Sequence, residues 1–517
     1  MRKAFLISCL LGLCACAPAT APRYDVLIVG GKVYDGSLEP GRVRNIGIVG
    51  VRIQTLDAAA DADALVRIDA QDLIVTPGFI DPHTHATRGL RNPLKKANLN
   101  YLKQGVTTVF IGNDGAGVSN RDDTLATFST EGIGSNVAFF SGHGAIRRQV
   151  MGSENRAPTT NELAAMKERV AADMELGAVG LSTGLYYVPG NYATTDEVIA
   201  LASVAEGYGG VYDTHLRDES SYNIGLLAAI DETIAIARST GIPVHISHIK
   251  ALGQDVWGQS EAIIGLIDAA RAEGLSVTAN QYPWRASGTR FSNALIPRWA
   301  LADSKEHMLE RLADAETGAG IRDEMRANLR RRGGADAMLV TTAESRWRGQ
   351  TLTEIAAQME IEPIEAAIRV VLAEDPSIAS FVMNSDDIAR LAQQPWVMTG
   401  SDGSPGHPRL YGTYPKAWQD FVATELLSIP QFVHRSAGLV ADTFSLCGRG
   451  YLREGYIADI AVIDPASYTA HADYVHPTEL SEGVRYLLVN GAMVIANDNY
   501  TGALPGQILR RQDCAEE

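Results

Sequence analysis

The sequence predicts an α/β protein: a TIM-like (β/α)8 barrel with a small β-sandwich domain built from both chain ends and a lid insertion. Three observations predict it. Eight strand-like runs alternate with helical stretches between residues 78 and 399, the signature of parallel β/α units. Short strands broken by Gly, Asp and Asn turns crowd both chain ends. A long charged excursion, residues 288–375, separates the seventh run from the eighth.

Composition sets the bounds. A chain of 517 residues has room for a large domain plus a smaller one. Apolar content of 46% and charged content of 21% are those of a globular protein. The formal charge of −16 argues against nucleic acid as a partner, because phosphate binding needs basic patches. The 49 glycines suit a chain in which many strands end in tight loops.

The first residues, 1–16, read as a signal peptide. Arg2 and Lys3 form a basic start, and Ala4 to Leu13 an apolar run too short to span a membrane. Leu13-Cys14-Ala15-Cys16 resembles a bacterial lipobox with Cys16 as the lipidated residue; ordinary signal-peptide cleavage is the alternative. Removal of residues 1–15 takes the formal charge from −16 to −18. The expected location is the periplasm, with membrane contact only through a lipid anchor at Cys16, and otherwise secretion. The five cysteines are Cys9, Cys14, Cys16, Cys447 and Cys514. The last two remain as free thiols or a pair and make no disulfide framework.

Residues 23–76 and 441–510 read as one discontinuous sandwich. Its N-terminal strands are Tyr24 to Val29, Lys32 to Tyr34, Ile46 to Val51, Val66 to Ile68 and Leu73 to Val75. Similar texture returns in Ile460 to Ile463, Val484 to Val489 and Met493 to Ile495.

The barrel covers residues 77–440. Its strands read as Gly78 to Ile80, Thr107 to Gly112, Asn136 to Phe140, Ala178 to Leu181, Gly210 to Thr214, Val244 to Ser247, Ser276 to Asn280 and Trp396 to Thr399. Helical spacing appears in Thr160 to Glu175, Asn223 to Ser239 and Ser260 to Glu273. The excursion carries charged helices, Lys305 to Ala313 and Ile321 to Arg332. A long insertion at a catalytic face shapes or covers the substrate, unless it is a solvated decoration.

Chemistry in such a barrel sits at the C-terminal ends of the strands. The stretch TPGFIDPHTHA, Thr76 to Ala86, places His83 and His85 there. In extended backbone, residues i and i+2 point to one side, so two imidazoles face one point, as a divalent cation requires. Alone, the pair could equally be a satisfied polar pair. Polar residues crowd the other strand ends too: Asn113-Asp114, Ser182 to Tyr187, His215 to Arg217, His248 to Lys250, Gln281-Tyr282 and Gly400 to Gly403. His143 and His245 read as structural.

His-x-His after strand one, His after strands five and six, and Asp after strand eight resemble the amidohydrolase superfamily. The chain is most similar to its N-acyl-D-amino-acid deacylase (D-aminoacylase) family. PGFIDPHTH, GVTTVFIGNDG, GLSTGLYYVPGNYA, THLRDE, SHIK, QYPW and GSDGSPGHPRLYGTYPK carry the resemblance across residues 77–418. It implies a metal site of His83, His85, Asp114, His215, His248 and Asp402. Asp114, His215 and His248 would form the tighter position, and His83, His85 and Asp402, sharing Asp114, the weaker one. Asp114 stands where the family's D-aminoacylases have Cys, a harder oxygen donor in place of a thiolate. The implied cofactor is zinc, one or two ions, with other divalent metals open.

The resemblance also implies roles around the metal. Asp402 moves the proton and Tyr187 stabilises the oxyanion. Lys250, Tyr282 and Arg409 hold the substrate's α-carboxylate, Arg409 as a fork and Lys250 as a point charge. A serine of the family aligns with Gly288, which makes the neighbouring Ser287 a substrate-binding candidate, with Thr289 beside it. Arg285 and Arg290 hint at acidic substrates. The implied reaction is hydrolysis of N-acyl-D-amino acids, or of dipeptides with a C-terminal D-residue. The D preference rests on the resemblance alone. The alternatives are an L-dipeptidase or cyclic-amide hydrolase on the same fold, and a non-catalytic ligand-binding surface lipoprotein.

Overall fold

The computed structural model describes residues 23–117 and 121–511. The expected signal peptide, Cys16 and Cys514 lie outside the described residues. Eight parallel strands position the site. They are β1 (Phe79–Asp81), β2 (Val106–Ile111), β3 (Asn136–Phe139, resuming at Ser141–Gly142), β4 (Gly180–Gly184), β5 (Val211–His215), β6 (Val244–Ile246), β7 (Val277–Gln281) and β8 (Val397–Thr399). β1, β2 and β3 pair in that order, and the resumed end of β3 continues through β4, β5, β6 and β7 to β8. Beyond β8, the amide of Asp402 donates to the carbonyl of His83 at 3.0 Å, and Thr84 and Gly403 form a parallel bridge.

All residues of β2, β5 and β7 are buried. That is the mark of parallel strands covered on both faces. The covering helices include Thr160–Glu175, Leu226–Thr240 and Ser260–Ala272. The first opens with a capping box between Thr159 and Glu162 and buries Met166, Val170 and Met174.

The strands of the two chain ends make one nine-stranded sheet. Ile74–Pro77 stitches it together, pairing parallel with Tyr24–Val33 and antiparallel with Ile460–Ile463. The same strand leads straight into β1, so the sheet fixes the start of the barrel. The two runs expected at Tyr24 to Val29 and Lys32 to Tyr34 are a single strand, Tyr24–Val33, with a register shift between Ile28 and Gly31. The C-terminal share of the sheet begins at Ile460 rather than near 441. The helix Gly438–Phe444 at that border serves the barrel instead, because Phe444 packs its ring against Phe110 and Phe140 at 4.8 and 5.8 Å. Cys447 is disulfide-bonded, which settles for that residue the choice left open between free thiol and pair.

The insertion is a unit of its own. Strands Ala286–Arg290, Ser377–Phe381 and Met338–Val340 form an antiparallel sheet with Ser377–Phe381 in the middle. The insertion therefore runs over 286–381, wider than the expected 288–375, because its central strand lies beyond that boundary. Helices such as Ala315–Arg331 and Pro363–Ala373 pack there around Ile321, Met325, Leu352, Ile355, Val370 and Ile378.

Candidate metal centre and active site

The site begins with the turn after β1. The Asp81 carboxylate accepts from the backbone N–H of His83 at 3.2 Å and of Ser401 at 3.0 Å. One buried carboxyl thus sets the loops after β1 and β8 against each other. Burial raises the Asp81 pKa to about 7, against the hydrogen bonds it accepts.

Six side chains converge above this turn in two groups that share Asp114. His83, His85, Asp114 and Asp402 form one; Asp114, His215 and His248 form the other. Within each, the donor atoms lie within 4.8 Å of one another. His83 Nε2 is 3.4 Å from Asp114 Oδ1, and His85 Nε2 is 3.2 Å from Asp402 Oδ1. His215 Nδ1 and His248 Nε2 stand 2.9 Å apart, at 3.6 and 3.4 Å from the same Asp114 oxygen. The residues fit a divalent cation. Both ring nitrogens of His83 and Oδ1 of Asp114 are buried without a hydrogen-bond partner. Buried polar atoms left so are rare, and a cation held by imidazole and carboxylate would satisfy those facing it.

The backbone is strained to bring them there. Asp114, His248 and Asp402 have φ of 57°, 35° and 48°, in the left-handed region that non-glycine residues avoid. Such conformations cost on the order of 1–3 kcal/mol each and persist where the surroundings enforce them. Electrostatics favours ionised acids. Burial opposes the charge on Asp402, but the Arg409 guanidinium and the histidines outweigh it and hold the carboxyl far below its usual range. For Asp114, burial is likewise overcome by His83, His215 and His248. Burial lowers the His83 pKa to about 4. In His248, burial and Lys250 are outweighed by Asp402, Glu219 and Asp114, and its pKa rises to about 9.

Glu219 was not singled out in the sequence, although it closes THLRDE four residues after His215. Its carboxylate backs both histidines of the second group on their outer nitrogens, 3.1 Å from His248 Nδ1 and 3.7 Å from His215 Nε2. It also accepts from Lys250 Nζ at 2.5 Å. An acid in that place fixes the ring orientation of ligating histidines.

The three clamp residues stand together. Lys250 is 5% exposed, so it is no surface lysine. Lys250 Nζ and the Arg409 guanidinium carbon lie 5.7 and 4.7 Å from the centroid of the Tyr282 ring. Arg409 Nη1 is 2.8 Å from Asp402 Oδ2. Tyr187 packs its ring 4.6 Å from that of His215. Burial, reinforced by Asp114, Asp402 and Glu219, pushes its hydroxyl pKa well above the usual value.

Ser287 lies on the first strand of the insertion and accepts a hydrogen bond from Arg332 Nη1 at 3.1 Å. Arg290 is not brought to the cluster. Its side chain is 62% exposed and is spent on Asp375, because it lies at the solvent-exposed end of the strand. His143 pairs with Glu197, which Arg147 also grips, and His245 bonds Thr278 and Asn280. Neither histidine joins a metal group.

The comparisons agree with this geometry. The amidohydrolase family model matches residues 67–495. A D-aminoacylase from Alcaligenes xylosoxydans xylosoxydans is 33% identical over 94% of this chain and 98% of its own. An N-acyl-D-glutamate deacylase from the same organism is 33% identical over 95% and 97%. The crystal structure of the N-acyl-D-glutamate deacylase from Bordetella bronchiseptica, complexed with zinc and a phosphonate mimic of the tetrahedral intermediate, superposes with a TM-score of 0.82. It is 30% identical and covers 95% of this chain and 100% of its own. With a match over most of its length and histidines and aspartates gathered at its strand ends, the chain belongs to the amidohydrolase family.

Proposed function

We propose that this protein is a zinc-dependent deacylase that hydrolyses the amide bond of N-acyl-D-amino acids, or of dipeptides with a C-terminal D-residue, and releases the free D-amino acid. The observation that carries it is the placement of the Lys250–Tyr282–Arg409 clamp directly against Asp402 and the histidine cluster. A free carboxylate seated there puts the neighbouring amide at the metal groups. The names of the similar proteins support the D configuration and the acyl substrate.

Asp114, His215 and His248 would hold one ion, and His83, His85 and Asp402, with Asp114, a second. Zinc there supplies a Lewis acid for the carbonyl and lowers the pKa of water from ~16 to about 7. Arg409 and Lys250 grip the α-carboxylate and orient the scissile bond. Asp402, ionised and buried, accepts the proton of the attacking water and returns it to the departing nitrogen. Tyr187 keeps its proton and donates a hydrogen bond to the carbonyl oxygen as charge develops there. Glu219 holds the rings of His215 and His248 in place.

Chelation tests the reading. Apoprotein should release no amino acid from N-acetyl-D-substrates, and zinc should restore release. Equal turnover with and without metal would contradict it. The sequence Arg2 to Cys16 supports an exported protein with a lipid anchor. A Cys16→Ser variant should then leave the membrane fraction for the soluble one.

A further inference from the structure

Five arginines among the described residues are buried; three of them meet a carboxylate, and two, Arg435 and Arg332, meet neutral oxygens only. Arg147 meets Glu197, Arg409 meets Asp402 and Arg449 meets Asp459. Arg435 donates to the carbonyls of Ala392 and Met398. Arg332 is 2% exposed and meets only neutral hydroxyls. Its Nε donates to Tyr222 Oη at 2.6 Å, Nη1 to Ser287 Oγ at 3.1 Å and Nη2 to Tyr186 Oη at 3.4 Å. No carboxylate among the described residues pairs with it. A guanidinium has five N–H donors, and a buried one without counter-charge is costly.

Its place explains what the counter-charge could be. Arg332 ends the helix Ala315–Arg331, so the insertion brings it to Tyr186 and Tyr222 of the barrel loops. Tyr186, one of its partners, precedes Tyr187 and lies with its ring 5.7 Å from that of His215. Ser287, another, precedes Gly288. The Gly288 carbonyl accepts from Arg409 Nη2 at 3.5 Å, and a Cβ on that glycine would come within 3.0 Å of the same nitrogen. The partner of Arg332 on that strand is thus the residue next to the one that contacts Arg409 of the clamp. Arg298, stacked 3.8 Å from the centroid of the Tyr186 ring, adds positive charge, and its donors go to carbonyls.

Resting on the proposed deacylase reading, we infer that Arg332 binds a second carboxylate of the substrate, which makes the enzyme selective for N-acyl-D-amino acids with an anionic arm. The arm is a side-chain carboxylate or a dicarboxylic acyl group; the chemistry that Arg332 recognises is the same. The acid selectivity hinted at by Arg290 falls to this residue instead.

The test measures kcat and KM of the zinc-loaded full chain on two substrate pairs. N-acetyl-D-glutamate against N-acetyl-D-glutamine probes the side chain. N-succinyl-D-leucine against N-acetyl-D-leucine probes the acyl group. The anionic member of one pair should win by about tenfold or more in kcat/KM, because a site built around a charge rejects the neutral isostere. Arg332→Met should bring that ratio close to one, chiefly through KM of the anionic substrate, and Arg332→Lys should keep part of it. Ratios near one for both pairs in the unaltered enzyme would overturn the inference. So would an equal loss on anionic and neutral substrates in Arg332→Lys, or in Arg332→Met if it folds. Failure to cleave any D-substrate would instead strike the deacylase reading itself.

Discussion

At the strand ends, His83, Asp114, His248 and Asp402 are held by buried parallel strands and by backbone forced into rare conformations. In the insertion, Ser287 and Arg332 meet each other from a separate antiparallel sheet and a helix end, supported by a core of their own, and Arg332 reaches Tyr186. The first region tolerates strain because the barrel over-determines it. The second is regular and carries its unusual feature in a side chain, a cation without a counter-charge. The difference teaches a division of labour. On the proposed reading, the barrel fixes where water, amide and metal meet, and the insertion selects the substrate arm.

Substitutions can break or sharpen that division. The largest effect is expected from Asp402→Asn, which should lower kcat by about 10²–10⁴-fold, the usual contribution of general acid–base catalysis. Thermal unfolding should show the insertion still folded; unchanged kcat would place the chemistry elsewhere. Next comes Ile321→Ala in the insertion core, which should cost about 2–5 kcal/mol in denaturant unfolding. The folded fraction should bind as much zinc as the unaltered protein, since no metal group among the described residues includes an insertion residue. Glu219→Gln should weaken zinc binding by about 10–100-fold in a titration of apoprotein, as loss of an acid that orients ligands does. If zinc affinity held, Glu219 would serve Lys250 alone. The smallest effect belongs to Arg290→Ala. An exposed ion pair contributes about 0–1 kcal/mol, so stability and substrate ratios should barely move.

Much of the barrel was legible because its signals are local. Eight apolar runs can be placed one by one, and His83 and His85 share a face by strand geometry alone. His215, His248 and Asp402 stood out by position, at the ends of β5, β6 and β8. What escaped depends on packing between distant segments. Glu219 is visible in THLRDE, but only the approach of His248 and Lys250 shows that its carboxylate serves both histidines. Arg290 lies next to the aligned serine position and turns away; Arg332, 45 residues from Ser287, turns in. Sequence proximity favoured the wrong arginine because the exposed end of a strand and the end of a helix, not spacing, aim these side chains. The insertion boundary slipped for a related reason: its central strand, Ser377–Phe381, reads as an isolated run until its two partners flank it.

The most direct measurement is the rate of amino-acid release by the zinc-loaded protein from matched D and L forms of N-acetyl amino acids and of dipeptides. Release from the D forms, with the L forms inert, is the predicted result. Faster cleavage of L,L-dipeptides would keep the metal centre and contradict the D-deacylase account.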